Sequence, residues 1–428
     1  MAVSTMGTAK KIELTDAENA LVESFVDRLG RLPGNADTVQ ARDNAISTLK
    51  KNGLPTRKIE AFHYTHLRGL LKSVPDRDHS GHGEAVSPLV SNAELITLNN
   101  GRLGDLPEIE GVQMTPVSSS LQADVGALSL GPVEPQDAVG MVNTAFLSDG
   151  VTMSFSENLE LETPIEIQSI HGGGQTHTRN VAVFDRGAKA TVFDRYIGDD
   201  SDVLTSNITQ LTVKAGADVT WIRVQDQGSE ARHLGRVEIT LDEGAKLTLF
   251  VMNFSGKLVR EEIHAKAMGE GADLTFRSIN MLNGESHCDV TLELDHLVEN
   301  TTSTETVRNV ITDRAQGVFQ GQIRVAQIAQ KTDAQMACNT LVLSDDARIA
   351  VKPELEIFAD DVICAHGATV TEIDSHHLFY LMARGITEKS GRGLLVKAFV
   401  AEIVEELENE ELIDALEARI DQWLETHG

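Results

Sequence analysis

Three patterns of hydrophobic and polar positions follow one another along the chain. Over residues 15–71 the apolar positions recur at helical spacing. Thr15 and Glu18 stand three apart as a capping box, and Leu21, Val22, Phe25, Val26 and Leu29 then mark one helix. Gly30 and Pro33-Gly34 end it, a second helix runs to Gly53-Leu54-Pro55, and a third carries Tyr64, Leu67, Leu70 and Leu71. After residue 373 the helical period returns. Asp374 or Ser375 caps a short helix ending near Ala383, with Gly385 as its C′ glycine. A longer helix sets Leu394, Leu395, Ala398, Phe399, Ile403 and Leu407 on one stripe, and a last one Leu412, Ile413, Leu416, Ile420, Trp423 and Leu424. Glu402, Glu405, Glu406, Glu408, Glu410 and Glu411 crowd the opposite faces, as a solvated surface does, and that surface is compatible with protein docking.

The middle of the chain alternates with a period of two and repeats. Gly187-Ala188-Lys189-Ala190-Thr191, Gly216-Ala217-Asp218-Val219-Thr220, Gly244-Ala245-Lys246-Leu247-Thr248 and Gly271-Ala272-Asp273-Leu274-Thr275 are spaced by 29, 28 and 27 residues. Strand-like runs such as Val237–Leu241 precede each corner, and runs such as Leu247–Val251 follow it. Glycine admits the backbone angles of a tight corner, and alanine beside it allows close stacking. A fixed period with no helix between strands predicts stacked coils, none of which can bury its apolar face alone. A β-sandwich of hairpins is the alternative, and it has no reason to repeat one corner four times. The strand pattern extends from about Val151–Ile167 to about residue 370. The division that follows is an N-terminal helical domain (1–73), a linker and transition (74–140), a parallel solenoid core (141–372) and a C-terminal helical domain (373–428).

Composition narrows the function. Aromatic residues are 4% of the 428, so the core is built mainly from Val, Ile, Leu and Ala, which suits thin regular layers. With 37 basic and 65 acidic residues the net charge is −28, which repels nucleic-acid backbones and anionic lipid. Cys288, Cys338 and Cys364 are too few and too scattered for a disulfide framework and fit a reducing compartment. No apolar run resembles a signal peptide or reaches the ~18 residues of a membrane span, so a cytoplasmic location is expected.

No P-loop, Cys-x-x-Cys, His-Glu-x-x-His or EF-hand pattern occurs, and three cysteines cannot make a four-thiolate cluster site. The densest constellation is Asp360-Asp361-Val362-Ile363-Cys364-Ala365-His366-Gly367-Ala368-Thr369. On a strand, Val362, Cys364 and His366 share one face, with the thiol and imidazole about 7 Å apart along it. That is wide for one ion but suits two donors lining a surface shared with a second subunit, and both are ligand types that iron accepts. The plainer reading is a buried cysteine beside a hydrogen-bonded histidine. His79-x-x-His82, His287-Cys288, Cys338 and His376-His377 read as ordinary solvated or core residues.

At this constellation the sequence resembles the SufB/SufD family of iron–sulfur cluster assembly scaffolds, and within it the SufD branch. The similarity runs through Cys338–Ser344, Pro353–Ile357, Asp360–Thr369, Leu378–Ile386 and Leu394–Phe399, with Glu60–Thr65 and Asn143–Phe146 upstream. The resemblance implies a mainly β fold: a right-handed parallel β-helix flanked by N- and C-terminal helical domains. It implies pairing with SufB through the β-helices and docking of the SufC ATPase on the C-terminal helices, with no nucleotide bound by this chain. A transient iron–sulfur cluster, or iron, would be assembled at the SufB–SufD interface, with His366 and its neighbour Cys364 as candidate ligands. The chain alone is expected to be non-catalytic and able to form a homodimer. Two other readings stay open: a catalytic β-helix acting on polysaccharide, for which Asp185-Arg186 and Asp194-Arg195 are imaginable but read as surface pairs, and an iron donor working alone.

Overall fold

A computed structural model describes residues 12–76, 83–123, 130, 132–254, 256–407 and 409–427. His79 and His82 lie outside the described residues. The helices are α1 (Asp16–Arg28), α2 (Ala36–Asn52), α3 (Leu67–Leu70), α4 (Val117–Gln122), α5 (Ala138–Phe146), α6 (Ser375–Ala383), α7 (Glu388–Val404) and α8 (Glu410–His427).

The repeating segment is a parallel β-solenoid. From residue 149 to 371 the chain crosses alternately between two sheets, of ten and nine strands, and each strand pairs in parallel with the strand one coil before it. A sandwich of hairpins would give antiparallel neighbours instead. The four Gly-Ala corners coincide in space: Gly187, Gly216, Gly244 and Gly271 have φ between +62° and +73°, and the alanine after each is fully buried. Positive φ there excludes most side chains. Further turns of the solenoid use Asn158, Asn300 and Lys331 at equivalent corners, also with positive φ, so the repeat is longer than its Gly-Ala signature. Asparagine tolerates this conformation better than most residues, and it carries no Gly-Ala mark to read.

Within residues 74–140, Glu94–Asn99 adds a parallel strand to Ile165–His171, and Val112–Pro116 pairs antiparallel with Asp149–Phe155. These strands, with Leu103, Leu106 and Ile109 packed on the core, cover the N-terminal end of the lumen. Side chains alternate along each strand, so Val192, Trp221, Leu249 and Phe276 fill the lumen from one sheet while Val237, Ile263 and Leu292 meet them from the other.

The two helical groups cover opposite flanks. α1, α2 and α5 pack on the outer face of the nine-stranded sheet, against Leu204, Ile208, Leu234 and Leu258. The capping box of α1 forms as expected, with Glu18 accepting from the Thr15 N–H at 2.7 Å. Glu18 also receives Arg68 at 2.9 Å and the Leu54 N–H at 2.7 Å, which ties α1 to α3. The third helix is only one turn long and Tyr64 is exposed. Residues before it are held by the solenoid instead, with Thr65 Oγ1 hydrogen-bonded to Asp289 and His287, and Glu60 to Lys352. α7 and α8 pack on the other sheet, against Phe193, Ile222, Phe250, Ile279 and Val310. The stripe buried by α7 is Val396, Val400, Ile403 and Val404, which leaves Leu394 and Ala398 facing outward; the expected stripe was rotated because two apolar rows run along this helix. The α8 stripe is as expected.

Asp194-Arg195 is a correction. Asp194 is fully buried in the lumen, because alternation turns it to the same face as Val192. Arg223 meets it at 3.4 Å and meets Glu261 at 3.1 Å, His233 reaches Glu261 at 3.0 Å, and Tyr196 donates to Asp194 at 2.9 Å. A polysaccharide could not touch this cluster. Asp185 and Arg186 are exposed at a corner, as expected.

Removing one partner from a buried ion cluster strands the others without solvent. Glu261→Ala is therefore expected to cost about 3–5 kcal/mol, read as a lowered urea midpoint, whereas Glu293→Ala on the exposed side of the same sheet should change it by less than about 0.5 kcal/mol.

Candidate functional site

The solenoid's C-terminal end is not closed like its N-terminal end. The last strands, Arg348–Ile357 and Ile363–Thr371, are edge strands, as Arg102–Leu103 and Val112–Pro116 are at the other end, but here the lumen side is left half-buried to exposed along both. Their outer edges present unpaired backbone groups, a template for another chain. After Thr371 the chain turns away into α6 on the flank. Around this end Phe358, Ile363 and Val370 are exposed, Ile363 by 66%.

Cys364 and His366 sit on the final strand, and its register fixes their direction. Cys364 pairs with Ala334 and His366 with Met336, both buried lumen residues. Cys364 and His366 therefore stand on the lumen side of the last coil, where no further coil covers them. His366 is exposed and Cys364 half-buried, in contact with the core. Across the mouth, the partner strand lines up Ile349, Val351 and Leu355, so the thiol and imidazole are donors set in an apolar rim. Burial pushes the Cys364 thiol up, opposed by a hydrogen bond with the Ala334 backbone and reinforced by the charges of Asp333 and Glu305. Among the described residues no group of three or more His, Cys, Asp and Glu is placed to hold a metal ion, so a complete ligand shell at this mouth would need donors from another chain. Asp360 and Asp361 lie outside the mouth, and Asp361 pairs with Lys331.

The other cysteines point into the lumen too. Cys288 and Cys338 belong to the same core and are fully enclosed; burial pushes the Cys338 thiol up to about 12, against the pull of Asn309 and Thr340. Asn309 ends an internal ladder in which Asn253 donates to Asn280 at 2.7 Å and Asn280 to Asn309 at 2.8 Å. His287 is buried and hydrogen-bonded to Thr65 at 2.9 Å, whereas His376 and His377 are exposed at the start of α6.

Sequence reasoning missed one residue of this region. Glu305 is in the same ladder as Met336 and His366, two coils in, and is 1% exposed. Neither of its carboxyl oxygens makes a hydrogen bond of good geometry, although Ser303 lies close enough to pull its pKa down. Burial pushes it up to about 8, with Ser303 and Arg277 pulling weakly the other way. The signal was present in Thr302-Ser303-Thr304-Glu305-Thr306-Val307: counting by two from the buried Val307 places Glu305 inside.

A parallel β-solenoid with flanking helices, whose last coil carries a thiol and an imidazole on its uncovered face, is the class of protein this structure defines. The sequence comparisons give this class its family. Residues 167–399 match the family described as SUF system FeS cluster assembly, SufBD core domain. The chain is 30% identical to the iron–sulfur cluster assembly protein SufD of Escherichia coli over 425 residues, covering 96% of this chain and 98% of that protein. It is 27% identical to an iron–sulfur cluster assembly SufBD family protein of Synechocystis, covering 86% and 87% of the two chains. Protein ABCI7, chloroplastic, of Arabidopsis thaliana is 26% identical, covering 92% and 88%. The chain belongs to the SufBD family and is a homologue of SufD. Among the described residues no helix is long and apolar enough to cross a membrane.

An ordinary glutamate titrates near 4.5 and the folded Glu305 near 8. Between those values the folded chain keeps a proton that the unfolded chain has released, so this group's contribution to stability is full below 4.5 and is lost as pH rises through 8. Glu305→Gln should match wild type in urea midpoint at the acid end of this window and exceed it above pH 8.

Proposed function

We propose that this chain is the non-catalytic, SufD-type scaffold subunit of a SUF assembly complex. Its open solenoid end pairs with the β-helix of a SufB-type subunit, and its C-terminal helices dock a SufC-type ATPase. Iron and sulfide are the cargo, assembled where the two solenoid ends meet, with His366 and Cys364 as this chain's ligands. The observation that carries the reading is the placement of Cys364 and His366 on the uncovered lumen side of the last coil, beside two unpaired strand edges. A second solenoid added there would bury the exposed apolar rim, satisfy both edges and bring the missing donors. The same edges would let two copies of this chain pair when the SufB-type partner is absent. Having no P-loop, the chain binds no nucleotide, and ATP turnover belongs to the docked subunit. It works in the cytoplasm, as its sparse unpaired cysteines suggest.

The docking surface for the ATPase is α6 with the outward row of α7. α6 has no buried residue; its Phe379 is 72% exposed, Tyr380 and Met382 are exposed too, and so is Leu394 on α7. Large apolar side chains exposed together on one helix are expected to have a protein partner.

Anaerobic co-purification with SufB- and SufC-type proteins, followed by cluster reconstitution, tests the site. His366→Ala should leave the complex intact and lower its cluster absorbance several-fold; undiminished absorbance would remove His366 from the ligand set. Phe379→Asp should reduce capture of the ATPase at least tenfold while pairing of the solenoids persists. Capture equal to wild type would move the ATPase surface off α6.

A further inference from the structure

At the covered end of the solenoid, away from Cys364 and His366, a cavity of about 230 Å³ lies between four stretches of chain that are remote in sequence. Arg28 and Arg31 line it from the end of α1 and the turn after it, Arg102 from the strand Arg102–Leu103, Phe146 from the end of α5, and Gln175 and His177 from the strand Gly174–Phe184. Acidic residues outnumber basic ones 65 to 37 in this chain, yet among the described residues no carboxylate lines the cavity. Arg28, in the last turn of α1, complements the helix dipole and needs no ligand to account for it. Arg31 and Arg102 lie beyond that account. Both are exposed, and neither makes an ion pair among the described residues.

The walls that carry these arginines are firmly built. The Arg28 guanidinium donates to the Gln175 backbone carbonyl at 3.4 Å and lies 5.9 Å from the centroid of the Phe146 ring. That ring is fully buried and stacks on His177 at 5.0 Å, while His177 Nδ1 and Ser206 Oγ are 2.8 Å apart. The chain enters Arg102 through Asn100 and Gly101, both at positive φ, and an added Cβ at Gly101 would stand 3.0 Å from Ser148 and from Thr176. Only glycine allows so close a turn, which fixes the backbone that carries Arg102. Gln175 is 3% exposed; its amide nitrogen donates to the Pro75 carbonyl at 2.9 Å, and its Oε1 has no hydrogen-bond partner. A ligand hydroxyl, directly or through one water, would satisfy this acceptor.

We propose that this cavity binds a small, hydroxylated phosphate monoester, held by Arg28, Arg31 and Arg102. Guanidinium groups match phosphate oxygens in a bidentate fork, and the three terminal oxygens of a phosphate can serve three arginines, which the two of a single carboxylate cannot. The cavity has room for about seven waters at ~30 Å³ each, more than a bare phosphate fills, and the remainder takes the organic part beside Gln175. Occupancy joins the end of α1 to the turn whose neighbour Leu103 packs on the core, so the ligand tightens the covered end of the solenoid. The site is independent of the reading of the mouth.

The test is isothermal titration of the full chain at fixed ionic strength with glycerol 3-phosphate, set against malate as a hydroxylated dicarboxylate and inorganic phosphate as the bare anion. Wild type should bind one equivalent of glycerol 3-phosphate at least tenfold more tightly than either of the others. Its melting temperature should rise at saturation, because the ligand binds only the folded chain. Arg31→Gln and Arg102→Gln should each raise the Kd at least tenfold and leave the ligand-free melting temperature unchanged, since both side chains are exposed. Malate binding as tightly as glycerol 3-phosphate would overturn the phosphate. Inorganic phosphate binding as tightly would overturn the organic part and its hydroxyl. No binding at millimolar glycerol 3-phosphate, or wild-type affinity in both arginine variants, would remove the site altogether.

Discussion

Everything in this molecule depends on the fact that a solenoid coil is stable only between two others. Each strand satisfies its backbone groups through the coil before and the coil after, and each lumen side chain is covered from both directions. The N-terminal end covers its lumen internally: antiparallel Val112–Pro116, the strand Glu94–Asn99 and the side chains of Leu103, Leu106 and Ile109 pack on the core there. At the C-terminal end the chain leaves for the flank instead, and the last coil is left with two open edges, an apolar rim and the Cys364–His366 pair. An uncovered lumen face is left there because the chain supplies no further coil beyond Thr371.

The interior is more polar than a solenoid needs for stability. Trp221, Leu249 and Phe276 fill part of the lumen, but alongside run an asparagine ladder and the cluster around Arg223 and Glu261. These groups are costly to bury and are held in place by one another, which fixes the register of the coils that carry them. Tyr196, 4.6 Å beneath the Arg223 guanidinium, adds a cation–π contact to the same cluster. Glu305 breaks the pattern, and it does so two coils from the mouth rather than deep in the stack.

The flanks divide the remaining work. The N-terminal helices are bound to the nine-stranded sheet by apolar contacts and by charge: Arg236 joins Asp137, the cap of α5, to Glu262, and Arg260 lies 4.0 Å from the Phe62 ring while pairing with Glu262 and Asp289. The C-terminal helices α7 and α8 are an equally integral cover for the other sheet, with Arg419 clamped to Asp226 at 2.6 and 2.7 Å. α6 has no buried residue, and its Phe379 and Tyr380 face solvent.

By itself the sequence determined the coil, because a glycine that needs positive φ and an alanine that must stack recur with the coil's own period. It also determined the capped helices, whose signals are local, and the motif around His366 that marks the family. The β-two alternation of Val362–His366 was enough to put the thiol and imidazole on one face. It could not say that this face is the lumen of an uncovered last coil, since that depends on which strand pairs with which across some thirty residues of chain. The same long-range register turned Asp194 inward, rotated the buried row of α7 by choosing one of two apolar faces, and placed Glu305 behind His366. A sequence carries the period of its side chains; only the stacked structure decides which neighbour each one meets, and so which charges are paired, which are stranded and which end stays open.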